Sequence, residues 1–193
     1  MPAQPNPERR NERSRRAILD ALYDLAVEKG YAKVTIEAVA TRAGVGKPTI
    51  YRWWASKGAV ALEVINDRIG TAIDFPNTGD IVADLTSQIT AVTGIMTGDL
   101  GRLYRGVIGE CQTDPKLAQE LRATVLEPRI RFCTARLDAA VADGQLRTDL
   151  PTRTMVDVIY APVYYRWLLS AGDAEVRGCP ALVPEIIAGL LPR

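Results

Sequence analysis

The sequence predicts an all-α protein in two parts: three helices around a short glycine turn over residues 14–60, and a larger helical remainder over residues 61–193. Two observations carry this. Apolar residues recur at helical spacing through most of the 193 residues, with almost no alternating, strand-like run. Charge is also unevenly divided: residues 1–60 hold 11 Lys+Arg against 6 Asp+Glu, whereas residues 61–193 hold 13 against 17. A basic first third on a mildly acidic remainder suggests two jobs, the first facing a polyanion, although a solvated charge run has the same composition. With 47% apolar and 24% charged residues, the chain can fold around a core.

Each element follows from its residues. Residues 1–13 are rich in Pro, Asn and Arg without an apolar period, and read as a flexible basic arm. From Ser14, the residues Ile18, Ala21, Leu22, Leu25 and Ala26 share one helical face, and Gly30 ends the helix. Thr35 is an N-cap for a short second helix with Ile36, Val39, Ala40 and Ala43 inward. Gly44 stops it, because the tight turn needs a residue that tolerates positive φ. Lys47 and Pro48 open a third helix, where the missing proline N–H loses no helix bond. Helix, glycine turn, helix is the pattern of a helix-turn-helix. Beyond it, residues 56–73 form a fourth helix, Asp80 caps a fifth ending near Thr97, and a sixth spans Leu100 to Gln112. Residues 113–146 are helical with Pro128 kinking or splitting them, residues 152–171 bend at Pro162, and a last helix spans Leu182 to Leu191.

Composition excludes several chemistries. There is no His, no Gly-rich phosphate loop and no Gly-x-Ser-x-Gly, so hydrolase, triad and metal chemistry are disfavoured. Cys111, Cys133 and Cys179 have no metal-ligand spacing and read as free thiols of a reducing compartment. The polar N-terminus is no secretory signal, and no run approaches the ~18 apolar residues of a membrane span. The expectation is a cytoplasmic protein that is not an enzyme, with no metal, no cofactor and no membrane.

The third helix carries the functional reading. At about 100° per residue, Ile50 and Trp54 share the inner side. Lys47, Pro48, Thr49 and Arg52 then form an outward arc flanked by Tyr51 and Trp53, with Lys57 beginning the next helix. That arc suits the major groove of double-stranded DNA. Lys, Thr and Arg bond base edges, the Pro ring and Thr methyl pack on thymine, and the aromatics and Lys57 hold phosphates. Arg9, Arg10, Arg13, Arg15 and Arg16 either add phosphate or minor-groove contacts or only solubilise the arm.

The stretch "VTIEAVATRAGVGKPTIYRWWASKGAVALEVI" resembles the signature of the tetracycline-repressor (TetR) family of transcriptional regulators, and "RRAILDALYDLAVEKGYAKVT" resembles that family's first helix. The match is close over the first third. The remainder is similar in helix count and in "DPKLAQELRATVLEPR" and "APVYYRWLL". The resemblance implies that Thr35 bonds a phosphate, that Lys47, Pro48, Thr49 and Arg52 read bases, and that Tyr51, Trp53 and Lys57 clamp the backbone. Two positions depart from it. Gly46 stands where many members carry Ser, and Trp53 where Tyr or His is more usual.

The resemblance also implies a C-terminal helical domain that binds an effector and pairs two subunits through its last two long helices. The residues offer two aromatic and apolar stripes, Leu103, Tyr104, Val107 and Cys111 on one helix and Tyr160, Tyr164 and Trp167 on another. Phe132 can meet either. These eight either line an effector pocket or pack as core. In the last helix Leu182, Ile186, Ile187, Leu190 and Leu191 offer apolar surface for a homodimer, and one short reading helix needs a second half-site for useful specificity. The expected function is a DNA-binding regulator, a homodimeric repressor released from a palindromic operator by a small hydrophobic or aromatic effector. The alternatives are a helical small-molecule-binding protein or enzyme with a basic N-terminal interaction module, and a helical interaction module with a vestigial turn.

Overall fold

The computed structural model describes residues 7–169 and 172–192, with side chains from residue 11 onward. Among the described residues all regular secondary structure is helical and there is no strand. Contacts divide the chain into two units, Met1–Arg68 with Arg102–Leu121, and Ile69–Gly101 with Arg122–Arg193. This grouping differs from the division at residue 60 that the sequence suggests, because residues 102–121 belong with the N-terminal helices.

The first unit opens with α1 (Pro7–Lys29). Residues 7–13 of the expected flexible arm are therefore helix, and residues 1–6 lie outside the described residues. Proline suits the first turn of a helix, and the Arg15–Glu12 pair at 2.9 Å supports the next. Gly30 then ends α1 at φ 81°. α2 (Ile36–Ala43) is capped by Thr35, whose side chain accepts from the Ala38 N–H at 3.2 Å. Gly44 follows at φ 65°, and its N–H returns to Thr41 O. α3 (Lys47–Tyr51) starts three residues later with Pro48 in its first turn. Its backbone bonding continues past its end, with Arg52 N–H donating to Pro48 O and Trp54 N–H to Ile50 O.

These short helices hold because their apolar faces meet. Ile18, Leu22, Val39, Ile50 and Trp54 are all buried, together with Val60, Ala61 and Ile65 of α4 (Lys57–Ile69). Each fully buried aliphatic side chain is worth about 1.5–3 kcal/mol. Three arginines then tie α1 to α4. Arg15 pairs with Glu63, Arg16 with Asp67 at 2.8 Å, and Arg68 returns to Asp20 at 3.0 Å.

The later residues of this unit come from α6 (Asp99–Cys111) and α7 (Pro115–Leu121). Gly106 lets α6 approach Tyr31 closely, since a Cβ there would stand 2.9 Å from Tyr31 Cβ. Leu117 of α7 packs on Gly58. These contacts join residues far apart in sequence, which is why these helices group with the N-terminal ones.

The second unit is built from α5 (Ile81–Met96), α8 (Glu127–Ala142), α9 (Thr152–Leu169) and two short helices, α10 (Asp173–Arg177) and α11 (Val183–Ala188). Asp80 caps α5 as its residue type predicts, accepting from Val82 N–H at 2.9 Å. The long stretch divides before Pro128: a π-type turn over Arg122–Leu126 separates α7 from α8, and Pro128 falls in the first turn of α8. Pro162 sits within α9 without ending it. The last helix, expected over Leu182 to Leu191, is the six-residue α11, and before it stand α10 and a 3₁₀ turn over Cys179–Leu182. Pro180 and Pro184 punctuate this segment.

The core of this unit includes Leu85, Ile89, Leu137, Met155, Ile159 and Trp167, all nearly inaccessible. Within it lies an ion pair: Arg136 Nη2 stands 2.7 Å from Asp84 Oδ2, and both side chains are buried. Thr78 donates to the same carboxylate through its N–H and hydroxyl. Burial pushes the Asp84 carboxyl up, but the bonds from Thr78 and Arg136 outweigh it and leave it below the ordinary carboxylate value.

Candidate nucleic-acid interface and effector cleft

The glycine turn sets α3 so that its two faces separate cleanly. Ile50 is 0% and Trp54 5% exposed, and the Trp54 indole N–H donates to Glu63 at 2.5 Å, which fixes the ring inward. On the other side Lys47, Pro48, Arg52, Tyr51 and Trp53 are exposed, and Thr49 is half-buried. Arg52 lies over the Trp53 ring at 5.8 Å and donates to Asn11 of α1 at 3.4 Å. Thr35 opens α2 from an exposed position and spends its hydroxyl oxygen on the helix cap. Lys47 Nζ is 3.0 Å from Glu37 Oε1 on α2. Their bond lowers the Glu37 carboxyl below its usual range and raises the Lys47 ammonium.

Three of the expected phosphate contacts are already engaged within the protein. Lys57 is half-buried, 3.3 Å from Glu110 Oε2 and 4.1 Å above the Tyr31 ring. Arg15 and Arg16 hold α4, as described above, and the side chains of Arg9 and Arg10 lie outside the described residues. The Gly46 N-cap has no side-chain hydrogen bond, as its residue type requires.

The eight pocket candidates do not gather. Leu103, Tyr104, Val107 and Cys111 are buried in the first unit, where α6 packs under Tyr31. Trp167 is 1% exposed, with its indole N–H on Met96 O at 2.9 Å, a core side chain of the second unit. Phe132 points outward at 68% exposure. Tyr160 and Tyr164 do line a cleft, of about 390 Å³, between α8 and α9. Its apolar wall is Leu126, Ile130, Val156 and Ala161, and its rim carries Arg122, Glu127 and Arg153. Glu127 bridges the two arginines at 3.2 Å each. The hydrogen bond from Arg153, against the opposing effect of burial, holds the Glu127 carboxyl low. The Tyr160 hydroxyl donates to Gln88 and meets Cys133 Sγ at 3.5 Å; burial keeps its phenol neutral far above the ordinary range.

The wall residues had a signal in the sequence. Arg153 and Val156 sit seven and four residues before Tyr160, on the same helical face. Glu127, Ile130 and Leu126 had none, since they come from a different helix. Among the described residues no three His, Cys, Asp or Glu side chains are grouped to hold a metal ion. No helix of the described residues is long and apolar enough to cross a membrane.

A glycine-turned pair of short helices, with the second one's polar arc exposed and its apolar side buried against the first, defines a helix-turn-helix DNA-binding protein. Residues 18–64 match the family model for bacterial regulatory proteins, tetR family, and residues 75–185 match that of the tetracyclin repressor-like C-terminal domain. The chain belongs to the TetR family of transcriptional regulators, a class of DNA-binding regulators and not of enzymes. It is 37% identical over 181 residues to the HTH-type transcriptional regulator YdeS of Bacillus subtilis strain 168, covering 94% of this chain and 91% of that one. It is 24% identical over 183 residues to the DNA-binding transcriptional repressor TetR of Mycobacteroides abscessus, covering 94% and 96%. The crystal structure of the TetR family transcription regulator SCO0332 superposes with a TM-score of 0.75 at 36% identity, over 93% of this chain and 99% of that one.

Proposed function

We propose that this regulator is a cytoplasmic homodimeric repressor that holds a roughly palindromic operator and is released from it by a small, largely apolar or aromatic effector. The single observation that supports operator reading most is the division of α3, with Ile50 and Trp54 buried and the Lys47–Pro48–Thr49–Arg52 arc outward beside Tyr51 and Trp53. In this reading Lys47, Pro48, Thr49 and Arg52 contact bases, while Thr35, Tyr51 and Trp53 contact the backbone. Lys57 joins them with an ammonium it already shares with Glu110, so part of its charge is offset within the protein. A relative named as a repressor favours repression over activation.

The effector reading rests on the cleft between α8 and α9. Its wall is apolar with two tyrosine rings, and its charged lining is two arginines bridged by Glu127, with Asp157 as the second carboxylate. Such a site favours an aromatic or aliphatic body with one polar end. For release to follow, the effector must bind the DNA-free state more tightly than the DNA-bound one.

The dimer surface we favour lies on the last two long helices, α8 and α9, and not on the terminal segment. The terminal helix is too short, and Val183, Ile187 and Leu190 are spent inside their own unit. The apolar residues left exposed on α9 are Val158, Tyr165, Leu168 and Leu169, with Phe132 on α8. They recur at helical spacing, so a second copy of this face is the fitting occupant. Selection of bound fragments from genomic DNA tests the proposal: enrichment of an inverted repeat is expected, and retention of DNA without sequence preference overturns it.

A further inference from the structure

Glu37 is the residue of the reading surface that neither the helix pattern nor the family resemblance assigns. It is exposed, two positions after the Thr35 cap, and its carboxylate is directed across to α3, where Oε1 meets Lys47 Nζ at 3.0 Å. A lone carboxylate on a surface that must approach phosphates is repelled by them. Held against Lys47 it becomes something else, an acceptor beside a donor.

That spacing has a counterpart in the major groove. Guanine O6 and cytosine N4 are joined by their own hydrogen bond, so they lie about 2.9–3.0 Å apart. An ammonium over O6 and a carboxylate over the N4 amine would complete a closed set of four groups with matched separations. The ammonium has three donors, and with one given to Glu37 it retains two, for O6 and the neighbouring N7. We propose that Glu37 is a specificity-determining residue, which together with Lys47 reads one G·C base pair in each half-site. Lysine bonds guanine O6 and N7 while glutamate accepts from cytosine N4. The polarity of the pair matters. T·A keeps the acceptor–donor order but puts a methyl near the N7 position, whereas A·T and C·G reverse the order and set like groups against like. The ranking is G·C first, T·A next, and A·T and C·G last.

The competing role for Glu37 is stabilising the N-terminus of α2, where an acidic residue in the first turn is favourable. The two separate by experiment. The inference rests on operator reading, so an operator is first selected from a random-sequence duplex library with the full chain. Every base pair is then replaced by the other three, and relative affinities are measured for the wild type, Glu37→Gln, Glu37→Ala and Lys47→Met, with a thermal melt of each. We expect one symmetry-related G·C pair per half-site where A·T or C·G costs the wild type about tenfold or more. At that pair both Glu37 variants and Lys47→Met compress the preference to within about threefold, and other positions keep theirs. An unchanged profile in the Glu37 variants overturns the inference. So does an even flattening at all positions accompanied by a lower melting temperature, which marks a purely structural role. A wild type that selects no sequence at all refutes operator reading instead, a separate outcome.

Discussion

At the scale of single residues, the interface is decided by which polar groups are spent inside the protein and which remain for a ligand. Lys57 shares its charge with Glu110 and Tyr31, whereas among the described residues Arg52 has only an exposed ring and a long bond to Asn11. Truncating Arg52 should therefore remove base contacts with little effect on folding. Arg52→Ala and Thr49→Ala are expected to weaken operator binding by about 1–3 kcal/mol each and to leave binding to random DNA nearly unchanged. Fluorescence anisotropy on operator and scrambled duplexes checks this, and an equal loss on both would place the reading face elsewhere. The Trp53–Trp54 pair illustrates the same division. Trp54 is fixed by Glu63 within the core and Trp53 faces solvent, although the two are adjacent in sequence.

At the scale of elements, the buried Asp84–Arg136 pair joins α5 to α8 across 52 residues of chain. Because its folded-state value is depressed, Asp84 contributes stability that is fully present above its unfolded pKa, about 4. That stability is lost as pH falls through the folded value. Asp84→Asn leaves Arg136 as an uncompensated buried charge, which typically costs about 3–5 kcal/mol. Calorimetric melts between pH 7 and pH 3 are expected to show two things: a lower melting temperature for the variant at pH 7, and a smaller further drop on acidification than the wild type has. A variant whose acid slope matches that of the wild type would remove Asp84 from the account. The elements also explain where helical periodicity misleads. The same stripe that marks Tyr160 and Tyr164 marks Trp167, yet Trp167 is held in the core by its bond to Met96. Periodicity finds a face, and only the neighbouring helix decides whether that face is filled.

At the scale of the whole molecule, assembly turns one short reading helix into a specific regulator, since two half-sites are needed for tight and selective binding. The two candidate dimer surfaces make opposite forecasts. Tyr165→Glu and Leu169→Glu put a charge on the exposed α9 face and are expected to give a monomer by sedimentation, with operator affinity falling steeply. Leu191→Glu alters the exposed end of the chain and should leave the dimer intact. The reverse pattern would return dimerisation to the terminal segment.

The sequence by itself determined the helical class, the glycine turn at Gly44, the caps at Thr35 and Asp80, and the inward placement of Ile50 and Trp54. All of these depend on residues within a few positions of one another: φ at a glycine, an oxygen reaching an N–H two or three residues on, a period of 3.6. Tertiary structure alone decided the rest. It placed α6 and α7 with the N-terminal helices, engaged Lys57 with Glu110, and spent Leu103, Tyr104, Val107 and Cys111 as core. It built the cleft from α8 and α9, and brought Glu37 to Lys47. Those outcomes rest on contacts between distant or separate elements, where a buried side chain and a ligand contact have the same composition and differ only in what packs beside them.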